Sequence, residues 1–222
     1  MSIIQNLENG KTEKQHIAGN LLTELQEDIL TGKIKPGSKL TEQKICDEYK
    51  VSRTPVREAL YQLQAMGLIE YITNRGAFVL EITNDNINDN FELQSLYEVQ
   101  CAKYAAMRIT KNELEELTET FEFMEFYTMK NDIPKMININ SAFHQIIYNA
   151  THNRILINIM KFYKTYERFA NPDDYYTENY LQNVLEEHRA IYNALLDRDI
   201  AMCMDAMMEH VENTKKRKHR RI

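Results

Sequence analysis

KLTEQKICDEYKVSRTPVREALYQLQAMGLIEYITNRGAFVL, residues Lys39 to Leu80, decides the fold of the first third of the chain. Thr41 is placed to cap a short helix whose apolar residues are Leu40, Ile45 and Tyr49, and Lys50 and Val51 form a turn. Ser52 then caps a second helix, with Pro55 in its first turn, where a missing N–H costs nothing. Val56, Ala59, Leu60 and Leu63 recur at spacings of three and four, the buried stripe of an amphipathic helix. Its other face carries Arg53 and Arg57, one turn apart, and Gly67 ends it. Ile69 to Ile72 and Ala77 to Ile82 are short β-prone runs around Asn74-Arg75-Gly76, a hairpin-turn composition. The pattern is a helix-turn-helix followed by a β-hairpin wing. A helix that enters the major groove by its N-terminus needs donors there, and arginine can grip guanine edges or phosphates.

These residues closely resemble the winged-helix domain of the GntR family of bacterial transcription regulators. The resemblance begins upstream: Ile17, Leu21, Leu25 and Ile29 form the stripe of a first helix, Gly32 stops it, and Lys35 to Leu40 matches the family's Pro-Gly link into the next helix. SRTPVREAL at Ser52 to Leu60, followed by the MGLI string ending at Ile69, is the most specific part. The resemblance implies that Arg53 and Arg57 contact DNA from the recognition helix. It implies that Ser52 and Thr54 contact phosphate or base at the helix start, and that Arg75 and Gly76 form a wing tip reaching toward the minor groove. Gln43 stands where many members have arginine, and a neutral amide reads different base edges from a guanidinium. Lys39, Lys44 and Lys50 are expected as backbone contacts only.

Charge divides the chain. Residues 1–82 carry 10 Lys+Arg against 11 Asp+Glu, so DNA affinity has to come from a local basic patch. Residues 83–213 carry 11 basic and 22 acidic residues, which reads as a sensing and dimerising half that DNA repels. We therefore expect a winged helix-turn-helix domain over residues 1–82 and a helical effector-binding and dimerisation domain over residues 83–222. Cys46, Cys101 and Cys203 are widely spaced, which argues against a disulfide framework or a cysteine-rich zinc site. There is no apolar run long enough to span a membrane and no secretory signal, so the expected location is cytoplasmic.

After the polar stretch Thr83 to Asn90 the periodicity is helical to the C-terminus, with Thr83 or Asn84 as the first cap. The first helix of this half runs to about Ile109, with Leu93, Leu96, Tyr97, Cys101, Tyr104 and Ala105 inward. Thr110 caps a second carrying Leu114, Leu117, Phe121, Met124 and Phe126, and Asp132 caps a third that ends near Ala150. Asn153 starts a fourth with Ile155, Ile159 and Phe162 inward, and Asn171 to Asp174 breaks the chain. A fifth covers roughly Glu178 to Leu196 and a sixth Ile200 to about Lys218. The fold class is mainly α: a winged helix-turn-helix followed by an antiparallel bundle of about six helices.

Six helices behind such a winged helix resemble the FCD effector domain of the FadR-like branch, in its smaller VanR-like subgroup. The residues that carry this are Asn140-Ser141-Ala142-Phe143-His144, Asn153, Glu187-His188 and His210. The resemblance implies a metal held by His144, His188 and His210 with position 140, where the family has aspartate and this chain has Asn140. The residues themselves support a site. Positions 140 and 144 share a helix face, and three imidazoles converging in a bundle core repel when protonated and lack partners when neutral. A divalent metal resolves both problems; three hydrogen-bonded core histidines are the alternative. An amide ligand is weaker and neutral, which suits zinc or nickel better than manganese. Many relatives have an arginine on the first bundle helix where this chain has Gln94, while Glu98 is retained. Either the effector is not a simple carboxylate or another residue holds it. Gln94, Glu98 and Asn153 are the expected effector contacts.

Other features read plainly. Met202, Met204, Met207 and Met208 fill bundle core, and Tyr175, Tyr176 and Tyr180 pack between helices beside the chain break. Lys215 to Arg221 is a solvated helix end that complements the helix dipole. The sequence as a whole points to a bacterial DNA-binding transcription regulator. It would bind a pseudo-palindromic double-stranded operator as a homodimer and be switched by a small metabolite, such as an organic acid, in a metal-containing pocket. The rival reading is a metal-dependent enzyme fused to a DNA-binding module, since three histidines and an open position also make a catalytic zinc site. Glu187 adjoins His188, but neighbouring helix positions point about 100° apart, which places it poorly as a general base.

Overall fold

A computed structural model of the chain describes residues 13–81, 83–167 and 179–219. The chain divides into two compact units, Met1–Asn84 and Asp85–Ile222.

The first unit is built from α1 (Glu13–Leu30), β1 (Lys39–Leu40), α2 (Glu42–Tyr49), α3 (Arg53–Ala65), β2 (Ile69–Ile72) and β3 (Gly76–Val79). Leu21, Leu25 and Ile29 of α1 pack with Ile45 of α2 and with Val56, Ala59, Leu60 and Leu63 of α3, all buried. Thr41 caps α2 by accepting the Lys44 N–H, and Lys50 closes it in the left-handed region at φ 56°. The turn between α2 and α3 is therefore tight. Ser52 occupies the N-cap position of α3, but its side chain accepts no helix N–H. The three strands form an antiparallel sheet in the order β1-β3-β2.

Leu40 does not belong to α2. It pairs with Ala77 in β1, because the Pro36-Gly37 link enters extended: Gly37 N–H donates to the Val79 carbonyl at 2.8 Å. The second wing strand is shorter than the run Ala77 to Ile82 suggests; it ends at Val79, and Ile82 lies outside the described residues. Asn74 at φ 62° and Gly76 at φ 99° make the wing turn, and a Cβ on Gly76 would sit 3.3 Å from Lys39 Cε.

The second unit holds α4 (Asn84–Arg108), α5 (Lys111–Met129), α6 (Ile133–Ala150), α7 (Arg154–Glu167), α8 (Tyr180–Leu196) and α9 (Ile200–His219). Thr110 and Glu113 form a reciprocal capping box at α5, and Asp132 caps α6 ahead of Pro134. Short connections between α4 and α7 and between α8 and α9 set these neighbours antiparallel. Leu117, Phe121 and Met124 of α5, Phe143 and Ile147 of α6, Leu185 and Ile191 of α8, and Cys203 and Met207 of α9 meet in one core.

Seven inward assignments fail here. Leu93 and Leu96 of α4 are 48% and 66% exposed, while Gln94 and Glu98 on the opposite face are buried. Phe126 of α5 is exposed as well. On α7, Ile155 and Phe162 face out, and Leu156, Met160 and Tyr163 fill the core one position further along. Met207 is buried, but Met202 and Met208 are exposed. The break at Asn171 to Asp174, with Tyr175 and Tyr176, lies outside the described residues.

Candidate functional site

Two groups of residues stand out, one in each unit. In the first, Arg53, Thr54 and Arg57 project from the N-terminal half of α3 and are exposed, as are Ser52, Gln43, Lys44 and Arg75; Gly76 is half-buried. α2 holds both arginines. The Arg53 guanidinium donates to Gln43 Oε1 at 3.1 Å, and Gln43 Nε2 donates to Asp47 at 2.9 Å. Arg57 Nε donates to Glu42 Oε1 at 2.7 Å. Gln43, read from sequence as a base contact in place of an arginine, thus also orients one. Arg75 lies at the wing turn with its guanidinium 5.4 Å from the Phe78 ring.

In the second unit, α6, α8 and α9 bring His144, His188 and His210 together. Each offers a ring nitrogen within 4.8 Å of the other two, and all three side chains are buried. His144 Nε2 and His188 Nε2 are 3.2 Å apart. His188 Nδ1 donates to the Val184 carbonyl at 2.7 Å, one turn earlier on α8, so its Nε2 carries a lone pair. His210 Nδ1 donates to Glu187 Oε2 at 2.9 Å, which leaves its Nε2 as a lone pair too. His144 Nδ1 faces Glu98 Oε2 at 3.6 Å, a charge contact too long for a hydrogen bond.

Glu98 is bonded through its other oxygen to the Tyr148 hydroxyl, and Glu187 receives both NH1 and NH2 of Arg217, at 2.6 and 2.8 Å. Three buried polar atoms lack a hydrogen-bond partner among the described residues: Glu98 Oε2, Asn140 Oδ1 and His144 Nδ1.

These orphans and lone pairs fit a divalent cation. Three imidazole nitrogens point together, an amide oxygen has no other partner, and two of the imidazoles already have their remaining N–H engaged. For two of the three imidazoles, His188 and His210, the electrostatics favour the neutral form. Burial, and then charge on His210 and His144, push the His188 pKa well below the ordinary imidazole value. Burial also lowers His210, against the hydrogen bond to Glu187 that pulls it up. Burial opposes ionisation of Glu187, but hydrogen bonds from Arg217 and His210 outweigh it and hold the carboxyl at about 2. Burial of Glu98 is likewise outweighed, by the charge of His144 and the Tyr148 hydrogen bond, so its pKa lies below the usual range.

The cluster borders a cavity of about 670 Å³ lined by α4, α6, α7, α8 and α9. Gln94, Glu98, Asn140, His144, His210, Lys164 and Arg217 all contribute to its wall. Asn153 does not: its Oδ1 accepts the N–H groups of Ile155 and Leu156 and caps α7.

Residues 89–213 match the FCD domain family, and residues 18–79 match the family described as bacterial regulatory proteins, gntR family. The chain belongs to the GntR family and carries an FCD domain. It is a DNA-binding transcription regulator. It is 27% identical over 206 residues to the HTH-type transcriptional regulator LutR of Bacillus subtilis (strain 168), covering 83% of this chain and 93% of LutR. It is 28% identical over 214 residues to the Uxu operon transcriptional regulator of Escherichia coli (strain K12), covering 85% of this chain and 81% of that one. Among solved structures, E. coli McbR/YncC superposes with a TM-score of 0.68 at 21% identity, over 92% of this chain and 97% of that one. A Listeria monocytogenes protein described as Lar, controlling expression of the agr system, superposes with a TM-score of 0.68 at 20% identity, over 97% of this chain and 100% of that one. The two structures share the fold.

Two residues of this FCD domain, Lys164 and Arg217, escaped the sequence reading, and the partner of a third, Glu187, was not foreseen. Lys164 is one of a polar pair, Lys161 and Lys164, on an apolar helix whose phase was misread. Arg217 sat inside a basic run taken as solvated, yet it is bound to Glu187 and lies 5.8 Å from the Tyr180 ring. Glu187 points away from His188, as its helix position requires, and reaches His210 on the neighbouring helix instead.

Proposed function

We propose that this regulator binds a pseudo-palindromic operator as a homodimer and releases or gains that grip when a small organic acid enters the histidine cavity beside a bound divalent cation. The observation that carries the reading is the convergence of three buried imidazoles, two of which, His144 and His210, line one cavity together with Asn140, whose Oδ1 has no partner among the described residues. His144, His188, His210 and Asn140 would hold the cation, and a donor set rich in imidazole favours zinc or nickel. When bound, the cation supplies a coordination point for oxygens of the effector.

Lys164 supplies the cation that Gln94 does not. Its Nζ has a long 3.4 Å contact to the Ser141 carbonyl and faces the Tyr148 ring at 5.3 Å. Gln94 and Glu98 offer the polar wall opposite an anionic group. In the reading domain, residues 1–82, Arg53 and Arg57 contact base edges or phosphates, with Ser52, Thr54, Gln43 and Lys44 beside them, and Arg75 and Gly76 bring the wing to the minor groove. Residues 83–222 sense and dimerise. One recognition helix covers too few base pairs for operator specificity, and α4 exposes Leu93 and Leu96, apolar surface of a kind that a second copy covers. No helix among the described residues is long and apolar enough to cross a membrane. A cytoplasmic location follows from the DNA partner.

We read a sensor rather than an enzyme. The relatives are transcriptional regulators, and Glu187 is committed to His210 and Arg217 rather than placed to accept a substrate proton. Elemental analysis of protein purified without chelator or tag, followed by a melting screen of organic acids, tests this. We expect stoichiometric zinc or nickel and an acid that raises the midpoint and is recovered unchanged. Protein that contains no metal and takes up none of zinc, nickel or manganese overturns the reading.

A further inference from the structure

The cluster is one proton short. With His188 donating to Val184 and His210 donating to Glu187, both Nε2 atoms are acceptors. With one ring proton His144 cannot serve both claimants, and with two it serves both only as a cation beside Glu98. Given to Nε2, a single proton satisfies His188 at 3.2 Å and leaves the lone pair of Nδ1 against the Glu98 carboxylate at 3.6 Å. Given to Nδ1, it faces Glu98 and leaves two Nε2 lone pairs opposed. A cation on the Nε2 atoms removes the conflict, because it takes the lone pairs and leaves the His144 proton for Nδ1.

We infer that Glu98 and Glu187 are positioning residues for this centre: each turns the inner nitrogen of one imidazole, His144 or His210, toward the cation, and Glu98 returns the negative charge that a neutral ligand set lacks. The inference rests on the metal reading above. The two carboxylates differ in their own partners. Glu187 is neutralised by Arg217 through two hydrogen bonds, so it orients His210 while adding little net charge. Glu98 forms no close ion pair with lysine or arginine among the described residues; its contacts are His144 and the Tyr148 hydroxyl, and Lys164 acts on it only from a distance. Both side chains are shielded from solvent, at 5% and 11% exposure, so their charge acts through little intervening water. His188 is held differently, by a backbone carbonyl, and needs no carboxylate. The neutral Asn140 gives Glu98 its importance.

The test is the zinc affinity of the full chain, measured by competition with a chromophoric chelator, with the visible spectrum of the cobalt-loaded protein as a report on ligand geometry. E98Q and E187Q should each weaken zinc about 10- to 100-fold and shift the cobalt bands. N140D placed in the E98Q background should recover most of the loss, by returning a charge from within the ligand set. R217M keeps the Glu187 carboxylate beside His210 and frees its charge, so it should bind zinc at least as tightly as wild type. If E187Q does not fold with its guanidinium stranded, E187Q/R217M removes both and carries the same expectation. Glutamine variants that bind zinc as wild type does, with an unchanged cobalt spectrum, overturn the inference and leave the metal reading standing. R217M as weak as E187Q overturns the role of Glu187, and failure of N140D to restore E98Q overturns the charge argument. A wild-type protein that takes up no zinc, nickel or cobalt overturns the metal reading itself.

Discussion

Acidification of the metal-free protein should destabilise it in a narrow pH window, and the buried histidines set that window. His188 and His210 both have pKa values lowered in the folded chain, His188 the more strongly. A group with a depressed imidazole pKa is neutral in both states well above the unfolded value of about 6.5. Below that value the unfolded chain takes up a proton that the folded chain refuses, so stability falls with pH. For a histidine that stays neutral in the fold, going from about pH 7.5 to about pH 5.5 costs about 1.4 kcal/mol. His188 should approach that figure. His210 should add less, because Glu187 pulls its pKa back up. The lowered carboxyls of Glu98 and Glu187 do not enter, because their stabilisation is lost only as pH falls below about 4.5 toward their folded values. The assay is urea unfolding of chelator-treated full chain, followed by helical circular dichroism at several pH values, beside H188L, which removes the most perturbed group. Wild type should lose stability over this interval and H188L should lose visibly less. Equal slopes, or no loss in wild type, refute the argument that burial holds His188 and His210 neutral.

Other outcomes follow from the same geometry. R57A should weaken operator binding roughly 5- to 150-fold in a mobility-shift titration and relax base preference; an equal loss on random DNA would show that Arg57 only positions the backbone. E42A removes the carboxylate that holds Arg57 at 2.7 Å and should tighten binding to random DNA roughly 3- to 10-fold at low salt, while losing selectivity for operator. Unchanged binding in that titration would mean the pair is irrelevant to DNA. K164M should abolish the melting shift given by an organic acid while leaving zinc uptake intact, and a retained shift would take Lys164 out of the pocket. N140D should tighten zinc but reduce the shift given by an anionic effector; a larger shift would contradict a charge-driven pocket.

The reader domain was legible because each helix is apolar on one side only. Val56, Ala59, Leu60 and Leu63 have no competing stripe on α3, and all four are buried. On α7, by contrast, Ile155, Ile159 and Phe162 compete with Leu156, Met160 and Tyr163, and periodicity alone cannot choose the phase. On the N-terminal half of α4 the hydrophobic rule inverts: the helix turns Gln94 and Glu98 toward the cavity and leaves Leu93 and Leu96 outside, while Cys101 and Ala105 further along are buried as expected. A helical segment that lines a polar pocket buries polar side chains, so apolar residues there can mark the outer face. Strand β1 was invisible because two residues carry no period, and only pairing with β3 defines them.

The histidines could be named from the family resemblance, but what holds them could not, because those contacts run between helices distant in sequence. Glu187 follows from this. Its position about 100° around α8 from His188 excluded it as a partner of its neighbour, and the same angle directs it at His210 on α9. Charge then explains why the pocket can differ from a simple carboxylate trap. Aspartate at 140 would cancel part of the cation's charge inside the ligand set. With the proposed cation bound, asparagine would leave that charge to be met by Glu98 on one side and by the cavity contents on the other. At about 4 Å in a medium of effective dielectric about 20, one unit charge is worth about 4 kcal/mol, so moving it by a few ångströms decides which effectors enter. An anionic ligand gains from the uncancelled cation and from Lys164, and it must avoid Glu98. That combination favours an acid that keeps its carboxylate on the Lys164 side and offers hydroxyl donors toward Glu98 Oε2, the orphaned oxygen on the cavity wall.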